Sequence, residues 1–351
     1  MNFKPLVIGN LIASIPIIQG GMGVGISLSS LAGAVAKEGA IGVISAAQPG
    51  FMEKDFLTDI AAANKRALSY HIKKAKEISN NGIIGVNIMV AVTHYEEYVK
   101  CCIESGADLI ISGAGLPINL PEYTKGSDIK IAPIVSSLKA ANVILHRWDK
   151  KYSQTADLIV IEGPKAGGHL GFHMEEIEKL ENIDEEIPKI IEFKKQYEVK
   201  YGKKIPVVFG GGVYDKNDID YYINKLGADG VQIATRFVAT EECDASEKFK
   251  QAYVNAKKED IGIVKSPVGM PGRAILNDYI KETAILGGDP VKKCFKCLNK
   301  CNPAKIPYCI SKALFNAAEG KLDKALIFCG ENAWRINEIT TVKKLIKELT
   351  E

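Results

Sequence analysis

Residues 157–171, DLIVIEGPKAGGHLG, join an apolar run to a glycine-rich turn that ends in a histidine. The run has the composition of a buried strand, and in parallel α/β proteins active sites are built after the carboxyl ends of such strands. Gly167 and Gly168 have no side chains, so a planar ligand could lie against their backbone. His169 adds an imidazole that exchanges protons near neutral pH. The stretch therefore predicts a functional site after a buried parallel strand; the alternative is a tight turn followed by a solvent-facing histidine.

Apolar runs of this kind alternate with helical patterns along much of the chain. The eight predicted strands are 16–21, 41–46, 83–90, 108–112, 130–136, 157–162, 206–210 and 230–235. The predicted helices between them are 29–37, 56–79, 95–105, 138–151, 183–201 and 216–226. The connection 116–125 carries two prolines, which argues against a helix there. Eight such units in a row favour a (β/α)8 TIM barrel over a doubly wound sheet, and no G-x-G-x-x-G fingerprint supports the latter.

The alternation fades beyond about residue 238, where helical patterns at 246–258 and 310–319 flank a cysteine-rich segment. We therefore expect two parts. A barrel would cover residues 1–240, and a smaller, mainly helical portion would cover 241–351, packing on the barrel and partly closing its mouth. The first 21 residues are predicted to form the first strands of the fold.

Composition and charge narrow the classes of function. The chain has 351 residues, 46% hydrophobic and 25% charged, as in a soluble globular protein. Its net charge of +3 comes without a polybasic block, so we expect no nucleic-acid partner. The amino terminus is a poor signal peptide and too short for a membrane helix, so we expect no membrane partner. Eight cysteines without a secretion signal indicate a reducing cytoplasm. A homodimer is a candidate assembly.

Two later loops predict a phosphate site. TIM barrels commonly bind phosphate with the loops after strands seven and eight. Here these loops contain Gly210-Gly211-Gly212 and Gln232-Ile233-Ala234-Thr235. Consecutive glycines let backbone N–H groups converge on an anion, and Thr235 adds a hydroxyl donor. Arg236 is a candidate charge partner, and glycine turns needed only for packing are the alternative.

Two further segments could border a flat ligand. Met22 lies among Gly20, Gly21 and Gly23, so its backbone could lie beside a ring system, although a methionine after a strand is often core filler. Asn87 is a polar amide inside the apolar run 85–90 and must find hydrogen-bond partners if it is buried. A ring edge would supply them, and so would a structural role.

Four cysteines lie within sixteen residues as Cys294-x2-Cys297-x3-Cys301-x7-Cys309. They could hold zinc or an iron–sulfur cluster, although the spacing fits no standard ferredoxin or zinc-ribbon pattern. Reduced, packed cysteines and redox chemistry are the alternatives. The histidines other than His169 show no partner pattern and are expected on the surface or in structural roles: His71, His94, His146 and His173.

Six motifs in order resemble the nitronate monooxygenase family, formerly called 2-nitropropane dioxygenases, whose superfamily includes flavin-dependent enoyl-acyl-carrier-protein reductases. They are IIQGGMG (17–23), GVISAA (42–47), GVNIMV (85–90), EGPKAGGHLGF (162–172), PVVFGGGV (206–213) and GADGVQIATRF (227–237). The resemblance implies a (β/α)8 barrel with non-covalent FMN and with His169 as the active-site histidine. The implied cofactor-binding residues are Gly20, Gly21, Met22, Gly23, Asn87, Glu162, Ala166, Gly167, Gly168, Gly211, Gly212, Gln232, Ile233, Ala234 and Thr235.

Two positions depart from the family pattern. Glu162 stands where many members have glutamine, and a carboxylate beside an anionic reduced flavin is unfavourable unless it is protonated or paired, for example with Lys165. Ala234 stands where glycine is usual, which costs little if the backbone angles suit alanine.

The resemblance implies an oxidoreductase that oxidises alkyl nitronates with O2, in which His169 holds the nitro group and takes a proton from a neutral nitroalkane. The alternative keeps the same site but uses NAD(P)H to reduce FMN, which then reduces an enoyl thioester. A phosphate-binding barrel without flavin and a non-catalytic flavin-binding protein are further alternatives.

Overall fold

The computed structural model describes residues 3–172, 174–177 and 183–351 of the chain. The strands are β1 (Leu6–Ile8), β2 (Leu11–Ala13), β3 (Ile17–Gln19), β4 (Gly42–Ser45), β5 (Ile84–Met89), β6 (Leu109–Gly113), β7 (Lys130–Val135), β8 (Ile159–Glu162), β9 (Gly168–His169), β10 (Val207–Gly210), β11 (Gly230–Ile233), β12 (Ile261–Lys265), β13 (Pro271–Ile275) and β14 (Ile327–Phe328). The helices are α1 (Ser29–Lys37), α2 (Ile60–Ile78), α3 (Tyr95–Ser105), α4 (Leu120–Tyr123), α5 (Leu138–Tyr152), α6 (Met174–Ile177), α7 (Ile183–Tyr201), α8 (Lys216–Asp220), α9 (Thr235–Val238), α10 (Glu247–Asn255), α11 (Asp278–Leu286), α12 (Ile310–Ala318) and α13 (Val342–Thr350).

A parallel barrel forms the centre of the molecule. Its strands neighbour one another in the order β3-β11-β10-β8-β7-β6-β5-β4. The sheet closes on itself because the Gln19 N–H donates to the Ile41 carbonyl and the Ile41 N–H donates to the Ile17 carbonyl. Each of these eight strands coincides with a predicted run, and the proline-containing connection 116–125 holds only the four-residue α4. The predicted (β/α)8 TIM barrel is confirmed.

Side chains alternate between the two faces of each barrel strand, as the strand period of two requires. In β8, Ile159 and Ile161 pack in the layer between strands and helices, whereas Val160 fills the barrel interior. Because both faces are covered, all three side chains are almost fully buried, which explains the uninterrupted apolar run. The same alternation turns the next residue, Glu162, inward at the carboxyl end of the barrel.

The amino-terminal end of the barrel is closed and tied together. The antiparallel hairpin of β1 and β2 places Leu6 and Ile8 in the interior cluster that contains Val160. Three aspartates, each just before a strand, accept the N–H of the first or second residue of the neighbouring strand. These bonds join Asp108 to Ile84 (2.7 Å), Asp157 to Ile131 (2.9 Å) and Asp229 to Val207 (2.8 Å). Polar side chains at this end therefore serve stability, and the carboxyl end is left for function.

Residues 241–341 pack over the carboxyl end of the barrel. Besides the helices α10, α11 and α12, they form an antiparallel sheet of β12, β13 and β14 that the sequence did not indicate. The sheet also takes in β9 from the barrel loop after β8, which pairs with β13. No helix in the described residues has the length and apolar character needed to cross a bilayer.

The last helix, α13, returns to the barrel and packs on α1 and α8. Leu345 and Leu349 are fully buried in the same cluster as the barrel helices. Glu348 anchors the helix further by accepting two hydrogen bonds of 2.9 Å from the Arg236 guanidinium. The division of the chain at residue 240 stays a prediction; in the packing, the C-terminal part ends as a barrel helix.

We expect Leu345→Ala to destabilise the whole barrel. Removing a fully buried leucine side chain leaves a cavity and costs about 2–5 kcal/mol. The free energy of unfolding from denaturant titration measures this loss. Lys343→Ala, at an exposed position of the same helix, is the matched control and should change stability little. Equal unfolding midpoints for both variants would show that α13 is not part of the barrel core.

Candidate active site

A cavity of about 800 Å³ opens at the carboxyl end of the barrel, beneath the C-terminal portion. This volume is in the range of small-molecule and cofactor sites. It is lined by every catalytic and cofactor-binding position that the sequence predicts: Gly20, Gly21, Met22, Gly23, Asn87, Glu162, Ala166, Gly167, Gly168, His169, Gly211, Gly212, Gln232, Ile233, Ala234 and Thr235. Residues separated by more than 200 positions in sequence thus meet in one place.

Strand alternation explains how polar groups reach this cavity. Val86, Ile161 and Val231 point outward into the helix layer, so their neighbours Asn87, Glu162 and Gln232 point inward. Within the described residues, the side-chain amides of Asn87 and Gln232 have no protein hydrogen-bond partner. A structural role for Asn87 is therefore not supported, and a ligand edge with donors and acceptors would complement both amides.

The glycines of the site serve different purposes. A Cβ on Gly167 would lie 2.5 Å from the carbonyl carbon of Cys329, so glycine is required there by the C-terminal chain and not by a ligand. Gly168 has a φ of +75°, and a Cβ on it would meet nothing within 4 Å. Both glycines line the cavity, and that a planar ligand lies against their backbone stays a prediction.

The loops after β10 and β11 offer donors to an anion. Gly211 and Gly212 adopt positive φ angles of +137° and +87°, and among the described residues their N–H groups have no protein acceptor. The Thr235 hydroxyl oxygen accepts the Gly330 N–H at 2.9 Å and keeps its own hydrogen for a ligand. Ala234 has a φ of −114°, so alanine fits this position without strain, as anticipated.

Arg236 is not a charge partner for an anion in these loops, contrary to the sequence interpretation. Its guanidinium is occupied by Glu348 and by the Tyr214 carbonyl, and it does not line the cavity. Lys165 packs against Gly212, since a Cβ on Gly212 would lie 2.9 Å from the Lys165 Cβ. Within the described part of the chain, Lys165 and Lys300 are the only lysines or arginines that line the cavity.

His169 is held firmly in the cavity wall. Its Nε2 lies 2.7 Å from the Ser266 hydroxyl, and its ring packs edge-on against Phe328 at 4.9 Å between centroids. Burial lowers the pKa of His169 to about 4. The imidazole is therefore neutral at physiological pH. Its place in the cavity wall excludes the alternative of a solvent-facing histidine. Ser266 and Phe328 could not be found from the sequence, since no local pattern marks them.

Arg273 fixes the loop that carries His169. Its Nη1 donates to the carbonyls of Pro164 (2.6 Å) and Ala166 (2.8 Å), and β13 pairs its own Gly272 with His169. The Glu331 carboxylate lies 3.7 Å from this guanidinium. The backbone N–H of Glu331 donates to the Lys165 carbonyl. The C-terminal portion therefore shapes the site as well as covering it. Sequence reasoning missed Arg273 because its partners lie about 107 positions away.

Glu162 lies in the cavity without an opposite charge. Its Oε2 accepts the Gly171 N–H at 2.9 Å, and among the described residues it forms no ion pair with Lys165 or any other cation. Burial raises the pKa of Glu162 to about 7, and the Gly171 bond opposes this only in part. Of the two conditions anticipated for this position, the structure supports protonation and not pairing.

The cysteine segment forms part of the cavity roof. Asn299 is bonded to the loop after β5, through its N–H to the Ala91 carbonyl and its amide to the Val92 carbonyl, both at 3.0 Å. Cys297 and Cys301 line the cavity, and all four cysteines are free thiols. In the described part of the chain, no three His, Cys, Asp or Glu side chains are placed to hold a metal ion. The geometry therefore does not support a metal at Cys294, Cys297, Cys301 and Cys309.

Three other histidines, His71, His94 and His146, do not line the cavity. His71 bonds the Ser29 hydroxyl at 2.9 Å, His94 pairs with Glu97, and His146 is exposed on α5. His173 lies outside the described residues.

Comparisons with known proteins agree with this architecture. The family model described as nitronate monooxygenase matches residues 4–351. A probable nitronate monooxygenase of Staphylococcus aureus (strain Newman) is 27% identical over 291 residues, covering 78% of this chain and 79% of the relative. FabK from Thermotoga maritima superposes with a TM-score of 0.72 at 24% identity, over 95% of this chain and 91% of that one. A nitroalkane oxidase from Streptomyces ansochromogenes gives 0.70 at 17% identity, over 95% and 94%.

We expect Arg273→Met to loosen the loop that carries His169. The substitution removes two charge-assisted hydrogen bonds to buried carbonyls, each worth about 1.5–3 kcal/mol. Amide hydrogen exchange of the segment 165–171 should therefore accelerate by roughly tenfold or more, because local opening becomes easier. Arg66→Met removes an exposed ion pair on the barrel surface and serves as the control. Unchanged exchange in Arg273→Met would show that Arg273 does not hold this loop in place.

Proposed function

This chain belongs to the nitronate monooxygenase family, and we propose that it is an FMN-dependent oxidoreductase that oxidises alkyl nitronates with molecular oxygen. One observation carries the proposal: a neutral His169 lies in a cavity whose other walls offer unpartnered amides and backbone donors. The family places the chain among oxidoreductases. The substrate, the use of oxygen and the identity of the flavin are what the proposal adds.

The residues present fit FMN. The amides of Asn87 and Gln232 suit a ring with donors and acceptors at its edge, and the open side of Gly168 gives the ring a surface to lie on. The N–H groups of Gly211 and Gly212 with Lys165 suit one phosphate. One such cradle without a dinucleotide fingerprint favours FMN over FAD. The bound flavin would supply two-electron redox chemistry.

The proposed role of His169 follows from its surroundings. If Nε2–H donates to the Ser266 hydroxyl, the lone pair of Nδ1 is left to accept the acidic proton of a neutral nitroalkane. The imidazolium that results would stabilise the negative charge on the nitro group. A pre-formed nitronate needs only the second of these contributions, since its proton has already left.

A second candidate is an NAD(P)H-dependent enoyl reductase. An apolar part of the cavity beyond His169 favours it, because such a surface could take an acyl chain: Val268, Met270, Leu298, Ile306, Ile310 and Leu314. The enoyl reductase domain of MlnA from Bacillus amyloliquefaciens has the same fold, with a TM-score of 0.68 at 14% identity. Fast NADH oxidation that depends on a crotonyl or longer enoyl thioester, without turnover of nitronates, would establish this alternative.

Cofactor identity and oxygen use test the proposal directly. The purified protein should release FMN on heating, because the site offers a single phosphate cradle. It should consume oxygen with a small alkyl nitronate when no NAD(P)H is added. Adenine in the released cofactor would rule out FMN, and a protein without flavin bands in its visible spectrum would rule out a flavin enzyme.

His169→Ala should retain FMN but lose most activity on neutral nitroalkanes. Removing a positioned proton acceptor costs on the order of a hundredfold in rate. Activity on pre-formed nitronates should fall less, and the ratio of the two rates measures the proton-transfer part of the role. His146→Ala, at an exposed position on α5, is the matched control. Loss of FMN in His169→Ala would make this residue a cofactor ligand, and unchanged rates would remove it from the mechanism.

A further inference from the structure

We propose that Glu162 is a second proton-exchanging residue of this site, which takes up one proton when negative charge builds up in the cavity and releases it when that charge leaves. This inference rests on the proposed function, because the charge would come from reduction of the bound flavin. It concerns a position at which this chain departs from the glutamine that many members of the family have.

The position of the carboxyl group carries the inference. Glu162 ends β8 and points inward, so its side chain lies between the barrel interior and the cavity. Oε2 accepts the Gly171 N–H, whereas Oε1 has no protein hydrogen-bond partner among the described residues. One oxygen therefore orients the carboxyl and the other is available to the cavity.

No described group around Glu162 forms an ion pair with it. From the loop after β7, the Ser136 hydroxyl donates to the Gly171 carbonyl and not to the carboxylate. From its own loop, Lys165 runs past Gly212, and His169 is neutral and bonded to Ser266. From the C-terminal portion, Glu331 lies beside Arg273, and Lys300 is the remaining charged side chain of the cavity wall. None of these forms an ion pair with Glu162, so among the described residues no fixed cation holds the carboxylate in its charged form.

A carboxyl group in this state responds strongly to added charge. Burial already raises the pKa of Glu162 to about 7, so both protonation states are present near neutral pH. A further negative charge in the same poorly solvated cavity raises the pKa again and drives proton uptake. Glutamine has no such equilibrium and would leave the new charge uncompensated.

Charge and protons are conserved in this exchange. In the experiment two electrons enter the cavity from dithionite, which is oxidised to sulfite. Solvent supplies one proton to the Glu162 carboxylate, and an O–H bond forms at one carboxyl oxygen. When O2 takes the two electrons, that O–H bond breaks, and its proton together with a second proton taken up on reduction yields H2O2. Glu162 forms no bond to carbon and donates no electrons.

The number of protons taken up per two electrons tests the inference. The loaded protein is reduced with dithionite in weak buffer, and a stopped-flow indicator dye reports the protons consumed, corrected by a protein-free blank. At pH 8 the wild type should take up about one proton more than Glu162→Gln, because the carboxyl is largely ionised before reduction. Below pH 6 the two should agree, because the carboxyl is already protonated. Glu104→Gln, at an exposed carboxylate on α3, is the control and should follow the wild type.

A second measurement needs no flavin. Infrared difference spectra of the flavin-free protein follow the C=O band of a protonated carboxyl, which should titrate near pH 7 in the wild type and be missing in Glu162→Gln. Equal proton counts at pH 8, or a band that appears only below pH 5, would overturn the inference while leaving the flavin proposal intact. If the protein binds no flavin, the proposed function fails and the infrared titration still decides the state of Glu162. If Glu162→Gln does not fold, a wild-type proton count that does not change between pH 6 and pH 8 overturns the inference.

Discussion

The pairing of β9 with β13 is the interaction on which the rest of the site depends. It joins the glycine-rich loop of the barrel to a sheet formed by residues 261–328, and Arg273 completes the junction by binding two carbonyls of the same loop. His169 therefore has its backbone in one part of the molecule and its side-chain partners, Ser266 and Phe328, in another. A loop with this many glycines would otherwise be mobile, because glycine loses much conformational entropy on ordering. The C-terminal portion supplies the rigidity that a positioned proton acceptor requires.

The barrel could be predicted from the sequence because its signals are local. Each strand is an apolar run that remains buried on both faces, and each helix carries its own amphipathic pattern, so that the bounds of α1 and α3 were predicted to the residue. The antiparallel sheet could not be predicted, since β9 and β14 are two residues long and are ordered only by pairing with β13. Nor does any local pattern show that α13, after an excursion of about a hundred residues, returns to pack on α1.

For the site, too, local patterns predict some features and not others. Asn87, Glu162 and Gln232 could be placed in the cavity in advance because they lie at or near the carboxyl ends of strands whose side chains alternate between two faces. The hydrogen-bond and packing partners of the site residues could not be predicted. Arg236 was predicted as a partner for a phosphate, but its guanidinium binds Glu348, and the steric need for glycine at position 167 comes from Cys329. Both contacts have one cause, since in each case a residue from the last quarter of the chain fills space that the barrel sequence alone leaves open.

Poor solvation shifts the pKa values of His169 and Glu162 in opposite directions. It lowers the pKa of His169 to about 4 and raises that of Glu162 to about 7, because it disfavours whichever form is charged. Near neutral pH the histidine therefore carries no charge, and the carboxyl is close to its own midpoint. An anionic ligand in this cavity would meet backbone N–H groups and Lys165 instead of a fixed carboxylate. The two proposed proton-exchanging roles differ because one environment favours the neutral form of both groups, and they need no ion pair between the two residues.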